Sequence, residues 1–381
     1  MRILKIVGHF HPAPVGGAEG QARAIGRELA ARGAKVTVLT MARAGAPAEE
    51  AFEGMRIVRG LKPIALGPLW GWTYYRQTMA WLRRLAGEYD IIHTHQVYIH
   101  TSAAGRLRDE LGKPIVATVV CGGEYNDFVR LKRVRRGEKY LAEAMRADRA
   151  IAVSEDLRRE TIEAGYPAER IALIPYMVDT ARFAPPDAPR SETELLFVGR
   201  LAAQKNIELL LEAFARALGE RPELRLTLVG DGPARASLEA RARDLGMSGK
   251  VTFEGYHEDV RAWLRRAALS ITASRAEGLS NALLEALACG TPIVASTASG
   301  NPEIVGEPFE DEARGHRVGA CGLLVHENSP DAYAAAILHA MGDGELRHAM
   351  SERARARAVE RYGVERVIGA HIALYEELLK G

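Results

Sequence analysis

Ser274-Arg275-Ala276-Glu277-Gly278-Leu279-Ser280-Asn281-Ala282-Leu283-Leu284-Glu285-Ala286-Leu287-Ala288-Cys289-Gly290-Thr291-Pro292-Ile293-Val294 is the stretch whose reading decides the fold. The run just before it, Leu269-Ser270-Ile271-Thr272, has the length and apolarity of a buried parallel strand. Gly278 suits a backbone conformation that residues with a Cβ resist. The pattern then predicts a helix from Asn281 to Ala288, ended by Gly290 and Pro292. A strand, a glycine turn and a helix start leave unpaired amides converging on one spot, which suits a pyrophosphate held around Gly278, Leu279, Ser280 and Asn281. Glu277 lies in the loop and Glu285 well inside the helix, so the two carboxylates reach different parts of one ligand. Carboxylates accept hydrogen bonds from sugar hydroxyls, which assigns Glu285 to a ribose and Glu277 to a transferred hexose.

At 381 residues the chain exceeds what one hydrophobic core usually serves, so two domains are expected. Strand and helix patterns alternate throughout, as in parallel sheets covered by helices on both faces. The first series of strands is Ile3 to Val7, Lys35 to Thr40, Arg56 to Arg59, Ile91 to Thr94, Ile115 to Val120, Ala150 to Val153 and Ile171 to Ile174. A stretch rich in proline and alanine from Asp179 to Arg190 reads as a linker. The second series is Glu194 to Val198, Leu224 to Val229, Val251 to Phe253, Leu269 to Thr272, Pro292 to Ala295 and Gly322 to Val325. The expected architecture is α/β: two Rossmann-like, doubly wound domains, 1–185 and 186–362, facing a cleft. Ser329 to Lys380 is helical by pattern.

Cys121, Cys289 and Cys321 are too few and too scattered for a disulfide framework or a metal site, which fits a reduced, cytoplasmic setting. The first apolar run is too short for a signal peptide, and no run approaches the roughly 20 residues that span a bilayer. The near-neutral total hides an asymmetry. Residues 1–185 carry 28 Lys and Arg against 20 Asp and Glu, whereas residues 186–381 carry 23 against 29. The densest basic cluster, Arg130-Leu131-Lys132-Arg133-Val134-Arg135-Arg136, is either a solvated helix face or a contact with an anionic acceptor or membrane surface. Trp70 to Arg84, with three of the four tryptophans, either packs on a sheet or serves a lipid-linked or glycan acceptor. No nucleic-acid partner is expected.

Leu195-Leu196-Phe197-Val198-Gly199-Arg200-Leu201, followed by Gln204-Lys205-Asn206, places two cations just after the first strand of the second domain, where ligands of open parallel sheets bind. Arg200 can bridge two phosphate oxygens and Lys205 supplies a point charge. Such cations would stabilise charge growing on a leaving diphosphate. No Asp-x-Asp stands at a strand end and no metal-ligand spacing is found, so no metal is expected. Val229-Gly230-Asp231-Gly232-Pro233 reads as a glycine turn with Pro233 starting a helix. Pro14-Val15-Gly16-Gly17-Ala18-Glu19 joins the first strand to the first helix, and its glycine amides suit close approach of a phosphate or acceptor; it lacks the G-x-G-x-x-G spacing of a dinucleotide site. His93-Thr94-His95 reads as a packing and loop-anchoring element.

Glu277 and Glu285 with Gly278, Asn281, Ala286, Gly290 and Pro292 resemble the E-x7-E region of family four retaining glycosyltransferases. The Gly199-Arg200-Leu201 and Lys205 arrangement is similar to that family's diphosphate-binding pair, and Gly16-Gly17-Ala18-Glu19 to its Gly-Gly-x-Glu loop, which shapes the acceptor site. The resemblance implies the GT-B fold, with residues after about Tyr362 (363–381) crossing back to the N-terminal domain. It implies a retaining, metal-independent hexosyl transfer from a nucleoside diphosphate sugar of UDP or GDP type, without a cofactor, in polysaccharide biosynthesis. Glu277, Arg200 and Lys205 would carry catalysis; Gly278, Leu279, Ser280, Asn281 and Glu285 would join the two cations in holding the donor. The acceptor would be a glycan, a lipid-linked sugar or a small molecule, and the setting cytoplasmic with peripheral contact to an anionic inner membrane face. The alternatives are an epimerase or phosphorylase on the same fold, or a non-catalytic sugar-nucleotide-binding protein. One departure stands out: where the family carries Thr-x-His-Gly-x-Asp, with the His on the donor sugar, this chain has Thr118-Val119-Val120-Cys121-Gly122-Gly123-Glu124-Tyr125-Asn126-Asp127. The backbone amides of Gly122 and Gly123, or Glu124, are then expected to contact the sugar instead.

Overall fold

The computed structural model describes residues 1–12, 16–307, 310–313 and 315–380. It divides into two compact units: Met1–Tyr176 with Glu365–Gly381, and Met177–Val364. The strands of the first unit are β1 (Arg2–Ile6), β2 (Lys35–Met41), β3 (Glu49–Phe52), β4 (Met55–Leu61), β5 (Ile91–His95), β6 (Ile115–Val119), β7 (Arg149–Ala152) and β8 (Ile171–Leu173). They form one sheet in the order β3-β4-β2-β1-β5-β6-β7-β8. Every neighbouring pair is parallel except β3 and β4. The central strands are buried on both faces, hence their near-continuous apolar runs.

β3 is not among the expected strands. It is an antiparallel edge strand of sequence Glu-Glu-Ala-Phe, closed onto β4 by Glu53 and Gly54, both with positive φ (50° and 77°). This is the backbone of a two-residue hairpin turn, made here with a glutamate where asparagine or aspartate is usual.

The second unit holds β9 (Glu194–Val198), β10 (Arg225–Val229), β11 (Val251–Gly255), β12 (Leu269–Thr272), β13 (Ile293–Ser296), β14 (Glu310–Ala313), β15 (His316–Val318) and β16 (Gly322–Val325). Their order is β11-β10-β9-β12-β13-β16-β15-β14. The first six strands in that order are parallel, and β15 and β14 add an antiparallel edge that the charged sequence there did not announce. The core gathers Leu195 and Phe197 of β9 and Leu226 and Leu228 of β10. The helix Ile207–Glu220 lays Leu210, Leu211, Phe214 and Ala217 over it at helical spacing. Successive strands run outward from β9 on one side and from β12 on the other, so the order reverses between these two. A crevice for ligands opens beyond the carboxyl ends at such a reversal.

The boundary between units falls after Tyr176 and not after residue 185. Residues 177–185 are bonded into the second unit: Val178 N donates to Tyr362 O (2.8 Å), and Arg355 donates to the carbonyls of Phe183 (2.9 Å) and Thr180 (3.0 Å). The polar stretch from Asp179 is therefore irregular but anchored. The tail forms three helices, Pro330–Gly342, Gly344–Tyr362 and Val364–Lys380. The last of them packs into the first unit, where Tyr375 Oη meets His93 Nδ1 at 2.6 Å and Glu377 pairs with Arg149 at 2.5 Å. Among the described residues no helix is long and apolar enough to cross a membrane.

Candidate functional site

Two loops leave the carboxyl ends of β9 and β12 at the point where strand order reverses, and the sequence dictates how they lock together. After β9, Ala203–Lys205 make one 3-10 turn, and Asn206 takes a left-handed backbone (φ 51°) that launches the helix Ile207–Glu220. After β12, the chain runs through Ser274 to Glu277 before the helix Asn281–Ala288. Arg275 N donates to Gln204 O (2.9 Å), Gln204 Nε2 to Ala276 O (2.8 Å) and Arg275 to Asn206 Oδ1 (3.3 Å). Lys205 Nζ closes the set with an ion pair to Glu277 Oε1. The predicted phosphate cation and the predicted sugar carboxylate thus meet in one ion pair. The pair is well shielded, with 21% of the Lys205 side chain and 9% of Glu277 exposed.

Arg200 stands at the start of the same loop, exposed, with no ion pair among the described residues. The turn beneath it explains the two glycines after β10. A Cβ on Gly230 (φ 138°) would lie 1.9 Å from Gly199 O, and one on Gly232 would lie 2.3 Å from Leu201 O. Gly199 N donates to Val229 O and Leu201 N to Asp231 O, both at 2.9 Å, so this turn is the floor of the cation loop. Pro233 does not open the next helix; that role falls to Arg235, two residues on.

The helix Asn281–Ala288 has the predicted limits, with Ser280 as its N-cap residue and Gly290 (φ 69°) just beyond its end. Gly278 is not left-handed, contrary to expectation. Its carbonyl accepts from Gly300 N (3.2 Å), which ties the turn to the short helix Asn301–Val305 behind it. Leu279 and Ser280 are buried. Glu303 of that short helix offers its carbonyl to Arg357 and Tyr362.

Glu285, half-buried inside the helix, has its carboxyl pushed up to about 7 by burial; Arg182 nearby pulls it down and Asp259 pushes it up further. Asp259 itself is held low by its hydrogen bond to Arg261 (2.5 Å). Arg182 and Asp259 escaped the sequence reading because they come from separate loops with no motif.

In the first unit, Gly16 caps the helix Gly17–Ala31 and Glu19 lies in its first turn; Pro14 and Val15 of the same loop lie outside the described residues. Glu19 folds back, its Oε2 only 2.8 Å from where a Cβ on Gly16 would be. An acidic first turn complements the helix dipole. His93 is fully buried between Tyr375 Oη (2.6 Å) and Thr118 Oγ1 (2.8 Å), and the His95 ring packs beside it at a tilt, centroids 4.2 Å apart. Desolvation holds both imidazoles well below their usual pKa, which agrees with a packing role.

The loop after β6 corrects one expectation. Gly123 N donates to both oxygens of Glu160 (3.0 and 3.1 Å), so that amide is already used and does not stand ready for a sugar. Glu160 also accepts from Asn126 Nδ2 (2.6 Å). Beside it, Asp127 is fully buried and accepts from Val120 N (2.9 Å), Val97 N (3.3 Å) and Gln96 Nε2 (3.1 Å), gathering the loops after β5 and β6. Burial raises its carboxyl to about 7. Gly122 is buried and Glu124 exposed. Among the described residues no three of His, Cys, Asp and Glu are grouped as a metal site.

Two protein families match the chain. The family described as Glycosyltransferase Family 4 covers residues 15–182, and that described as Glycosyl transferases group 1 covers residues 179–357. The D-inositol 3-phosphate glycosyltransferase of Geodermatophilus obscurus is 31% identical over 398 residues, spanning 93% of this chain and 84% of that protein. The lipopolysaccharide core biosynthesis glycosyltransferase LpsE of Rhizobium meliloti is 32% identical over 197 residues, about half of each chain (52% and 53%). The crystal structure of Anabaena Alr3699/HepE in complex with UDP-glucose is similar with a TM-score of 0.78 at 21% identity, over 99% of this chain and 100% of that one.

Proposed function

The chain belongs to the glycosyltransferases of GT-B fold, and from that premise we propose that it is a retaining, metal-independent transferase. It moves a hexosyl group from a nucleoside diphosphate sugar, of UDP or GDP type, to a glycan, a lipid-linked sugar or a small molecule. No cofactor takes part. The observation that carries this reading is the shielded Lys205–Glu277 pair beside the exposed Arg200, at the strand-order reversal of the second unit. Phosphate and sugar ligands are thereby predicted to sit side by side. UDP-glucose in the Anabaena structure and a lipopolysaccharide role for the Rhizobium relative agree with a sugar nucleotide donor and a glycan-building task.

Arg200 and Lys205 bind the diphosphate and stabilise the charge that grows on it as the glycosidic bond breaks. Donor binding draws Lys205 Nζ toward phosphate, and Glu277, released or shared, accepts hydrogen bonds from the hexose hydroxyls. The backbone of 278–281 faces the pyrophosphate at the helix start. Glu285 takes the ribose hydroxyls, and its raised pKa falls back when those hydroxyls donate to the carboxylate. The acceptor belongs to the first unit, near Gly16, Gly17 and Glu19. Departure and attack on the same face of the sugar retain configuration, with the leaving phosphate taking the acceptor's proton. The protein works in the cytoplasm in polysaccharide assembly.

Incubation with a panel of UDP- and GDP-sugars and simple acceptors, read by release of the nucleoside diphosphate, tests this. A donor that releases diphosphate only with acceptor, giving a product of unchanged anomeric configuration, is the expected result. Inverted product would overturn retention, and turnover requiring inorganic phosphate would favour a phosphorylase.

A further inference from the structure

In the first unit, residues 64–69, Ile-Ala-Leu-Gly-Pro-Leu, form six consecutive exposed positions without a charge. Ile64, Leu66, Leu69 and Trp72 are exposed by 47%, 66%, 46% and 50%. They lie within nine residues, so this is a patch and not the scattered exposure of an ordinary surface. The spur is also held in shape. Gln77 clasps Lys62 from both sides, accepting from its N (2.5 Å) and donating to its O (2.8 Å). Thr73 Oγ1 receives Ile64 N (2.9 Å) and donates to Leu69 O (2.7 Å). Gly67, with φ 44°, turns the chain into Pro68, the first residue of the helix Pro68–Arg84. Two hydrogen-bonding side chains, Gln77 and Thr73, thus fix a loop whose apolar tips are left exposed.

A cationic run adjoins the spur. Trp70 packs on Tyr98 (ring centroids 6.3 Å apart), and Arg130 lies close enough to Tyr98 to act on its hydroxyl. Arg130, Lys132, Arg133, Arg135 and Arg136 are all exposed, and among the described residues none forms an ion pair. Other arginines of this unit are neutralised, as Arg56 is by Glu49 and Arg83 by Glu110, whereas the exposed Arg76 and Arg84 of the helix Pro68–Arg84 share with the 130–136 run the lack of an ion pair among the described residues. A rigid apolar spur flanked by unneutralised cations is complementary to an anionic lipid surface, where apolar tips enter the acyl boundary and cations face the headgroups.

We infer that residues 64–72 and the cations of 130–136 form a membrane-docking face for an anionic bilayer, with Leu66 and Leu69 as inserting residues. This deepens the acceptor side of the function proposed above, and rests on it only in making a lipid-linked acceptor the one such docking would serve.

The test is co-flotation of the full chain with vesicles of phosphatidylglycerol and phosphatidylcholine, against phosphatidylcholine alone, from about 0.1 to about 1 M salt. The parent should bind the anionic vesicles and lose them as salt rises. Leu66→Ser with Leu69→Ser should weaken binding on the order of tenfold. Arg133→Gln with Arg135→Gln and Arg136→Gln should weaken it and flatten its salt dependence. All variants should keep the parent's thermal shift with UDP or GDP, since none touches the donor loops. Absence of parental binding, or leucine variants that bind as the parent does, overturns the inference. So does a parent that sediments as a dimer which the leucine changes dissolve, for then the spur is covered by a second copy. Loss of all nucleotide response with vesicle binding intact would count against the transferase reading and leave the docking face standing.

Discussion

Replacing Lys205 by alanine separates the structural from the chemical work of the ion pair. Glu277 keeps only 9% of its side chain exposed and Lys205 21%, so the pair lies between two regimes. Breaking a fully buried pair costs about 3–5 kcal/mol, whereas an exposed pair is worth about 1 or less. The partial exposure of the lysine places Lys205→Ala at about 2 kcal/mol of lost stability, with a folded protein remaining. The chemical loss is separate: removing one group that stabilises developing charge costs about 3 kcal/mol, or on the order of a hundredfold in turnover. Urea unfolding measures the first and diphosphate release the second, with calorimetry of UDP or GDP for ground-state binding. Adding Glu277→Gln removes the stranded carboxylate and should return most of the stability while leaving turnover low. If Lys205→Ala turned over and bound donor as the parent does, the phosphate role would be refuted. If the double variant regained turnover, Lys205 would serve only to neutralise Glu277.

Three other substitutions probe the same unit and its neighbour. Burial lifts the Glu285 carboxyl from its ordinary 4.5 to about 7, so the folded state holds that proton more tightly than the unfolded one. Its contribution to stability is full below about pH 4.5 and is lost as pH rises through about 7. Glu285→Gln should match the parent near about pH 4.5 and exceed it by up to about 3 kcal/mol near about pH 8 in urea titrations, while weakening nucleotide binding; a pH-independent difference would contradict this. Gly230→Ala places a Cβ 1.9 Å from Gly199 O. It should cost about 3 kcal/mol or more and abolish the thermal shift with UDP or GDP, because the floor of the Arg200 loop must move. Asp127→Ala strands the amides of Val120 and Val97, for a loss of about 2–4 kcal/mol in chemical denaturation, and unchanged stability would show that water replaces the carboxylate.

What the sequence made legible follows from what leaves a periodic trace. The parallel strands are buried on both faces and spell apolar runs, so β1, β5, β9 and β12 stand out, as does the helix from Asn281 with its glycine stop. Edge strands β3 and β14 pair on one side only, β15 beside β14 is three residues long, and all three carry charges, so neither alternation nor apolarity marks them. Arg200, Lys205 and Glu277 are legible as candidates because each follows a strand end, and Glu285 because it lies within the helix from Asn281. Asn206, Gln204 and Arg275, which fasten the two loops, are not, since contacts across 69 to 72 residues of sequence depend on the strand order that places β9 beside β12. The linker was misplaced for a related reason: proline and alanine exclude a regular element but do not exclude anchoring, and Arg355 supplies that from far along the chain.

The Cys121 loop bears on how a donor sugar could be distinguished. A family-like imidazole at this position would offer a donor or an acceptor; here Cys121 is half-buried, and amides on either side of it are taken by two carboxylates. Glu160 occupies the amide of Gly123 and Asp127 that of Val120, so the backbone is rigid but has fewer donors to give. Glu124, exposed, adds only an acceptor. Glu277 is likewise an acceptor, oriented by Lys205. A loop whose fixed polar groups mostly accept binds a sugar through hydroxyls that donate, and such a pattern discriminates by hydroxyl position more than by charge. In the function proposed above, stereochemical choice among neutral hexoses rests on how firmly Glu277 is held; Lys205 pairs with it directly, and three further contacts fasten the loops after β9 and β12 to each other, none of which the sequence motif alone contains.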